Sequence, residues 1–195
     1  MLIRPKKVKI NASPGFLLLV GILIYLNDEM SFLWIIASAL FHELGHVAAC
    51  LIFGGRVEAL TFNAVGAELQ FSYAAALNYT KENLVCLAGP IVNLVMGTAA
   101  LCAGLYLPAL SNLGLGIFNL LPISPMDGGR IIQNVLIEQL GIEPAVRISA
   151  IISGLLIGLL VGFALIAAVQ YANFTLLMVS LWLLIVTLKK KKDFL

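Results

Sequence analysis

"SFLWIIASALFHELGHVAACLIF", residues Ser31–Phe53, reads as one apolar helix with three polar side chains, His42, Glu43 and His46, set in its middle. Every other position is apolar or small. The segment has 23 residues; as a helix it rises about 35 Å, enough to cross the hydrocarbon of a bilayer. A carboxylate near mid-membrane costs about 2.5–3.5 kcal/mol on insertion scales. Three such residues in little more than one helical turn therefore need a compensating partner. A structural cluster is the alternative, but it names no such partner.

The rest of the chain agrees with a lipid solvent. Its 195 residues are 61% hydrophobic and only 11% charged, and the mean hydropathy is +1.03. A soluble domain of this size leaves too much surface facing water to hide so much apolar area. The composition thus implies an integral membrane protein and excludes a soluble one. The three cysteines, Cys50, Cys86 and Cys102, lie in apolar runs without metal-ligand spacing and read as small buried hydrophobes rather than a disulfide framework. The N-terminal "MLIRPKKVKINASPGFLLLVGILIYL" has basic residues before an apolar stretch. The "YLND" that ends it lacks a small-residue cleavage pattern, so the stretch reads as a retained first helix.

The pattern predicts an all-α polytopic membrane protein, a single domain over residues 1–195 with about six spans. They fall near 14–26, 31–53, 82–107, 111–121 with a broken segment at 122–129, 145–170 and 173–188. Ser13 and Pro14 open the first span, Gly54-Gly55 close the second, and Pro108 is expected to stop the third. Residues 130–140 read as a short apolar helix. Between the second and third spans, Val57, Leu60, Phe62, Leu69 and Phe71 alternate around Gly66. That predicts a small membrane-associated β-hairpin.

Six spans place both termini on one side. The inner segments then carry Arg4, Lys6, Lys7 and Lys9; Arg56 and Lys81; Arg130 and Arg147; and Lys189–Lys192, which are all twelve basic residues. The outer loops carry none. The positive-inside rule makes that side the cytoplasm, of a bacterial cell membrane in this reading. The terminal lysine run needs no more than an anchoring role at the headgroups.

His42 and His46 are four apart, so on a helix both imidazoles leave one face, and His-Glu-x-x-His is a zinc site with a built-in general base, Glu43. They are the only two histidines in the chain. Catalytic zinc takes three protein ligands and keeps one exchangeable position. Among the remaining acids Asp127 stands apart, in "NLLPISPMDGGR", where Pro122 and Pro125 break an apolar helix and Gly128-Gly129 allow close backbone approach. Irregular backbone at membrane depth has to be buried in protein or line a wet cavity. Asp127 is the expected third ligand; an ordinary loop aspartate is the alternative. Topology is consistent, because the second and fourth spans both run inward and bring the three residues toward the cytoplasmic leaflet.

Three motifs in order, "FHELGH" (41–46), "AGPIVN" (88–93) and "FNLLPISPMDGGR" (118–130), resemble the site-2 proteases, the intramembrane zinc metalloproteases. The layout is most similar to the compact branch containing the sporulation factor-processing protease. The resemblance implies one Zn2+ per chain on His42, His46 and Asp127, with Glu43 as the catalytic glutamate. It matches Asn119, Pro125, Asp127 and Gly128 to the N-P-D-G signature, and Gly89, Pro90 and Asn93 to a G-P-x-x-N element. Asn119, Pro125, Gly128 and Asn93 are carried as substrate or transition-state supports, with helix packing as the alternative for the G-P-x-x-N residues. Some members carry a cytoplasmic nucleotide-sensing domain; the sequence ends at Leu195, and regulation by such a domain is not expected.

The expected activity is regulated intramembrane proteolysis: hydrolysis of a peptide bond in or near a transmembrane segment of a membrane-bound substrate, with Glu43 activating zinc-bound water. The substrate helix has to unwind, and the hairpin offers an edge to which it could add as a strand. The expected partners are that substrate, the lipid bilayer and a regulatory membrane protein; no nucleic acid is expected. A transporter or channel using Glu43, Asp127 and the histidines as a relay is the main rival. It would favour inverted repeats and paired broken helices, and only one broken helix is evident. A zinc-binding protein that no longer cuts is the second rival, which the intact Glu43 disfavours.

Overall fold

In the computed structural model, residues 9–12, 29–63, 66–73, 77–171 and 175–192 are described. The predicted first span, about 14–26, lies outside them. The chain divides into two compact units, Met1–Ile117 and Phe118–Leu195.

The first unit opens with β1 (Lys9–Ala12), followed by α1 (Glu29–Ile52), which carries the His-Glu-x-x-His turn. Gly54, at φ +76°, ends that helix, its N–H closing on the Leu51 carbonyl at 3.0 Å. β2 (Gly55–Asn63) and β3 (Gly66–Tyr73) then pair antiparallel from Gly55↔Tyr73 to Asn63↔Gly66, with an irregularity between Val57 and Ala59. β1 pairs parallel with β2, Lys9 opposite Ala59. The sheet order β1-β2-β3 puts β2 in the centre and β3 at one side. The all-α reading with a two-stranded hairpin is corrected here by a third strand, built from a basic, mixed segment with too few residues to show alternation.

α2 (Tyr79–Cys102) is capped by Asn78, whose side chain accepts from the Lys81 N–H at 3.0 Å. Gly104, at φ +73°, ends it, with Leu105 N–H reaching back to the Ala100 carbonyl at 2.9 Å. α3 (Tyr106–Asn119) begins at once. Pro108 therefore opens a helix rather than stopping one: it stands in the first turn, where an N–H has no intrahelical partner to lose. The predicted third span thus ends early and the fourth starts early.

In the second unit, an irregular stretch from Leu120 leads into α4 (Asp127–Leu140), α5 (Ile142–Tyr171) and α6 (Thr175–Lys192). Gly141, at φ +84°, separates α4 from α5. Pro144 fits in the first turn of α5, so that helix begins before the predicted Ala145. Ile123, Ile157 and Leu183 are buried together, so the irregular stretch packs into the core of this unit through Ile123.

Among the described residues three helical stretches are long and apolar enough to cross a membrane: Leu33–Ile52, Tyr79–Cys102 and Ile142–Gln170. Leu176–Thr187 is a shorter apolar helix. Large apolar side chains face outward along them, Val169 at 86% and Ile52 at 79% exposure, as lipid-facing residues do. The three cysteines are free; Cys50 is buried and Cys86 half-buried, but Cys102 is exposed on the last turn of α2, which corrects its reading as buried.

Candidate metal centre

His42 and His46 project from one face of α1, 6% and 8% exposed. Their rings are nearly perpendicular, 85° apart with centroids at 4.7 Å, and the two Nε2 atoms lie 3.1 Å from each other. α2 decides what those nitrogens carry. His46 Nδ1 is 2.8 Å from the Val85 carbonyl, which can only accept, so Nδ1 holds the proton. His42 Nδ1 is 2.6 Å from Asn93 Oδ1. Asn93 Nδ2 donates to the Ser38 carbonyl and to Asn112 Oδ1, both at 2.9 Å, which fixes its amide with the oxygen toward His42. His42 therefore also donates from Nδ1. In both neutral rings the lone pair sits on Nε2.

Two lone-pair nitrogens 3.1 Å apart offer a ready pair of ligands to one cation. Tetrahedral zinc, with Zn–N of about 2.0–2.1 Å, holds two nitrogens about 3.3–3.4 Å apart. The pair fits. Asp127, the carboxylate expected to complete the set, belongs to the second unit. Two imidazoles and one carboxylate are the donor set of a catalytic zinc with a position left open.

The glycines of the two motifs leave room for the rings. A methyl group on Gly89 would overlap His46 Nε2 and come within 2.9 Å of His42 Cε1. One on Gly45 would lie 2.7 Å from the Ala88 carbonyl oxygen. α1 and α2 thus cross in near-backbone contact at the height of the histidines, which is what lets Val85 and Asn93 reach them.

Asp127 is the first residue of α4 rather than part of a loop. The stretch before it contains a cis Ser124–Pro125 bond and is tied within its own unit. Ser124 N–H donates to buried Ser153 Oγ at 3.0 Å, and Thr187 Oγ1 donates to the Ser124 carbonyl at 2.7 Å. These bonds satisfy irregular backbone where lipid would leave it costly. A methyl group on Gly128 would overlap the Leu120 carbonyl, and one on Gly129 would lie 2.6 Å from the Ile123 carbonyl. The double glycine folds the start of α4 against the preceding turn.

Glu43 is half-buried beside His42 on α1, and Asn119 is the last residue of α3. Asn93, expected near the substrate, is fully buried with both amide hydrogens and its oxygen engaged inside the protein, so it supports His42. Gly128 likewise has a backbone reason. Sequence reasoning missed Asn112, Ser153, Thr187 and the Val85 carbonyl. An asparagine in the middle of the mostly apolar α3 was the available signal for Asn112; a backbone carbonyl gives none.

Comparison with known proteins places this geometry in a family. The M50B-like peptidase profile matches residues 16–124, more than half of the chain. The chain belongs to the M50B-like peptidases. The profile of peptidase family M50 also matches residues 99–163. Among curated relatives, the zinc metalloprotease MJ0392 of Methanocaldococcus jannaschii is 29% identical over 77% of this chain and 46% of its own length. Stage IV sporulation protein FB of Bacillus subtilis is 28% identical over 73% of this chain and 52% of its own. The chain thus spans about half the length of these M50 relatives. The solved structure of the site-2 protease from M. jannaschii superposes with a TM-score of 0.71 at 26% identity, covering 96% of this chain and 93% of that one.

Proposed function

We propose that this M50B-like peptidase is an intramembrane zinc metalloprotease that hydrolyses a peptide bond in or near a transmembrane segment of a membrane-bound substrate. The observation that carries the reading is the pair of Nδ1-protonated histidines whose Nε2 atoms converge to 3.1 Å. His42, His46 and Asp127 would hold the metal. Bound zinc supplies Lewis acidity, polarising the scissile carbonyl and making water a nucleophile near neutral pH. Glu43 takes the proton from the attacking water and passes it to the leaving amine. Asn119 donates a hydrogen bond to the substrate. The chain crosses the membrane about six times, with both termini in the cytoplasm of a bacterial cell, as the distribution of its twelve basic residues supports.

The sheet lies at the cytoplasmic membrane face and receives the unwound substrate along β3, since β1 covers the other side of β2. Proline substitutions along Leu69–Phe71 are therefore expected to slow cleavage while bound zinc stays at the wild-type level. Metal analysis beside a cleavage assay checks this, and unchanged cleavage removes the strand from the mechanism.

The activity itself is tested by co-expression with candidate single-span membrane proteins, wild type against Glu43→Gln. Wild type is expected to yield a shortened product and Glu43→Gln to lose it by about 10²–10⁴-fold, the usual worth of a positioned general base. Product that persists in the variant defeats the protease reading.

A further inference from the structure

The two histidines are held by different means. His46 is fixed by a backbone carbonyl, Val85, which no side-chain substitution removes. His42 is fixed by a side chain, Asn93, which is in turn oriented by another, Asn112. The order of donors and acceptors runs one way. The Pro108 carbonyl can only accept, so Asn112 turns its Nδ2 toward it at 2.9 Å and presents Oδ1 to Asn93. Asn93 answers with Nδ2, which also serves the Ser38 carbonyl, and presents Oδ1 to His42. Every polar group in this series is buried; Asn93 is 0% and Asn112 4% exposed. Neither amide can flip without setting its oxygen against carbonyl oxygens and its nitrogen against a donor in a buried site.

We propose that Asn93 and Asn112 form a tautomer lock: positioning residues that keep the proton of His42 on Nδ1 and so keep Nε2 available to a divalent metal. The role passes from a first-turn carbonyl on α3, through two amides, to a ring on α1. It rests on the zinc-site reading above but concerns the ring before any metal arrives. Partners that orient a ligating imidazole typically carry about 10–100-fold in metal affinity. Here the asymmetry between the rings allows a sharper test, because loss of the lock should release one histidine and leave the other alone.

The chain has only two histidines, so 15N labelling of histidine gives two ring signals whose shifts report which nitrogen is protonated. The full chain, stripped of metal and held in micelles well above the ordinary imidazole pKa of about 6.5, is expected to show both rings as Nδ1–H. Asn93→Leu is expected to move His42 to a mixture containing Nε2–H, leave His46 unchanged and weaken Zn2+ binding about 10–100-fold. Asn112→Leu should shift His42 the same way by less, since Ser38 still orients Asn93; it also serves if Asn93→Leu does not fold. An unchanged His46 signal beside a shifted His42 signal is an outcome that loosened packing alone would not give. Wild-type His42 protonated on Nε2, or a His42 tautomer and zinc affinity indifferent to both leucine variants, overturns the lock. So does equal release of His42 and His46 by Asn93→Leu. A wild-type chain that binds no zinc overturns the zinc-site reading instead, so the two failures are separable.

Discussion

Alanine at Gly89 is expected to disable the metal centre although it changes no ligand. The added methyl group falls on His46 Nε2 and within 2.9 Å of His42 Cε1. Neither ring has a free direction of retreat. His42 is held through Nδ1 by Asn93 and His46 through Nδ1 by Val85, so moving a ring breaks the bond that sets its tautomer. Moving the helices apart instead opens the contact at Gly45, where the backbone of α2 already lies against α1. A displacement of about 1 Å at a reacting centre costs on the order of 10²-fold. The Gly89→Ala protein is therefore expected to lose cleavage by at least that factor and to retain little zinc after dialysis. Gly114→Ala, where nothing lies within 4 Å of the added carbon, is the control and should behave as wild type. Metal content and cleavage measured on both variants decide the point; full zinc occupancy in Gly89→Ala would show that the rings have room the geometry denies them.

That glycine also shows what kind of information the sequence carried. The His42–Glu43–His46 spacing was legible because one helix sets it, and local periodicity needs no tertiary contact to be read. Asp127 could be singled out because prolines and glycines around an acid at membrane depth are costly anywhere else. Gly89, Pro90 and Asn93 were visible only as a motif. Their reason, the close crossing of α1 and α2 and the hydrogen bond from His42, exists only once two segments some fifty residues apart are packed together. The bond that fixes His46 ends on a main-chain carbonyl, which every residue type supplies equally.

The same distinction explains the boundaries that moved. Proline disfavours a helix interior, which makes Pro108 read as a stop, yet it is equally suited to a first turn. Gly104 made the difference by ending α2 before it. β1 was missed because a four-residue strand becomes one by pairing, Lys9–Ala12 against Ala59–Phe62, and carries no period of its own. In a protein whose solvent is lipid, hydropathy marks the long helices, while short elements owe their form to partners that composition does not record.

Asp127→Asn is expected to cost more zinc affinity than any change behind it, and the size of the gap tests how the second unit holds its ligand. The substitution keeps shape and removes charge. Two neutral imidazoles and a neutral amide would then face a divalent cation in a medium of low dielectric, where the missing charge is poorly replaced. The loss should exceed the roughly 10–100-fold typical of removing a supporting partner. Ser153→Ala and Thr187→Val act one step back: each takes one partner from the half-buried Ser124 backbone, a loss that costs at most the roughly 1–3 kcal/mol of a fully buried group. The strain is shared, because Ile123 remains packed with Ile157 and Leu183 and the close approach at Gly128 and Gly129 is untouched. Each single variant should therefore lower zinc retention modestly. The double variant should lower it by more than the sum of the two effects in free energy, since either remaining bond restrains the same peptide. Competition against a chelator measures all four proteins on one scale. A double variant as damaging as Asp127→Asn would mean that the placement of the carboxylate, more than its charge, limits binding; additive losses would mean that the two bonds restrain Ser124 independently.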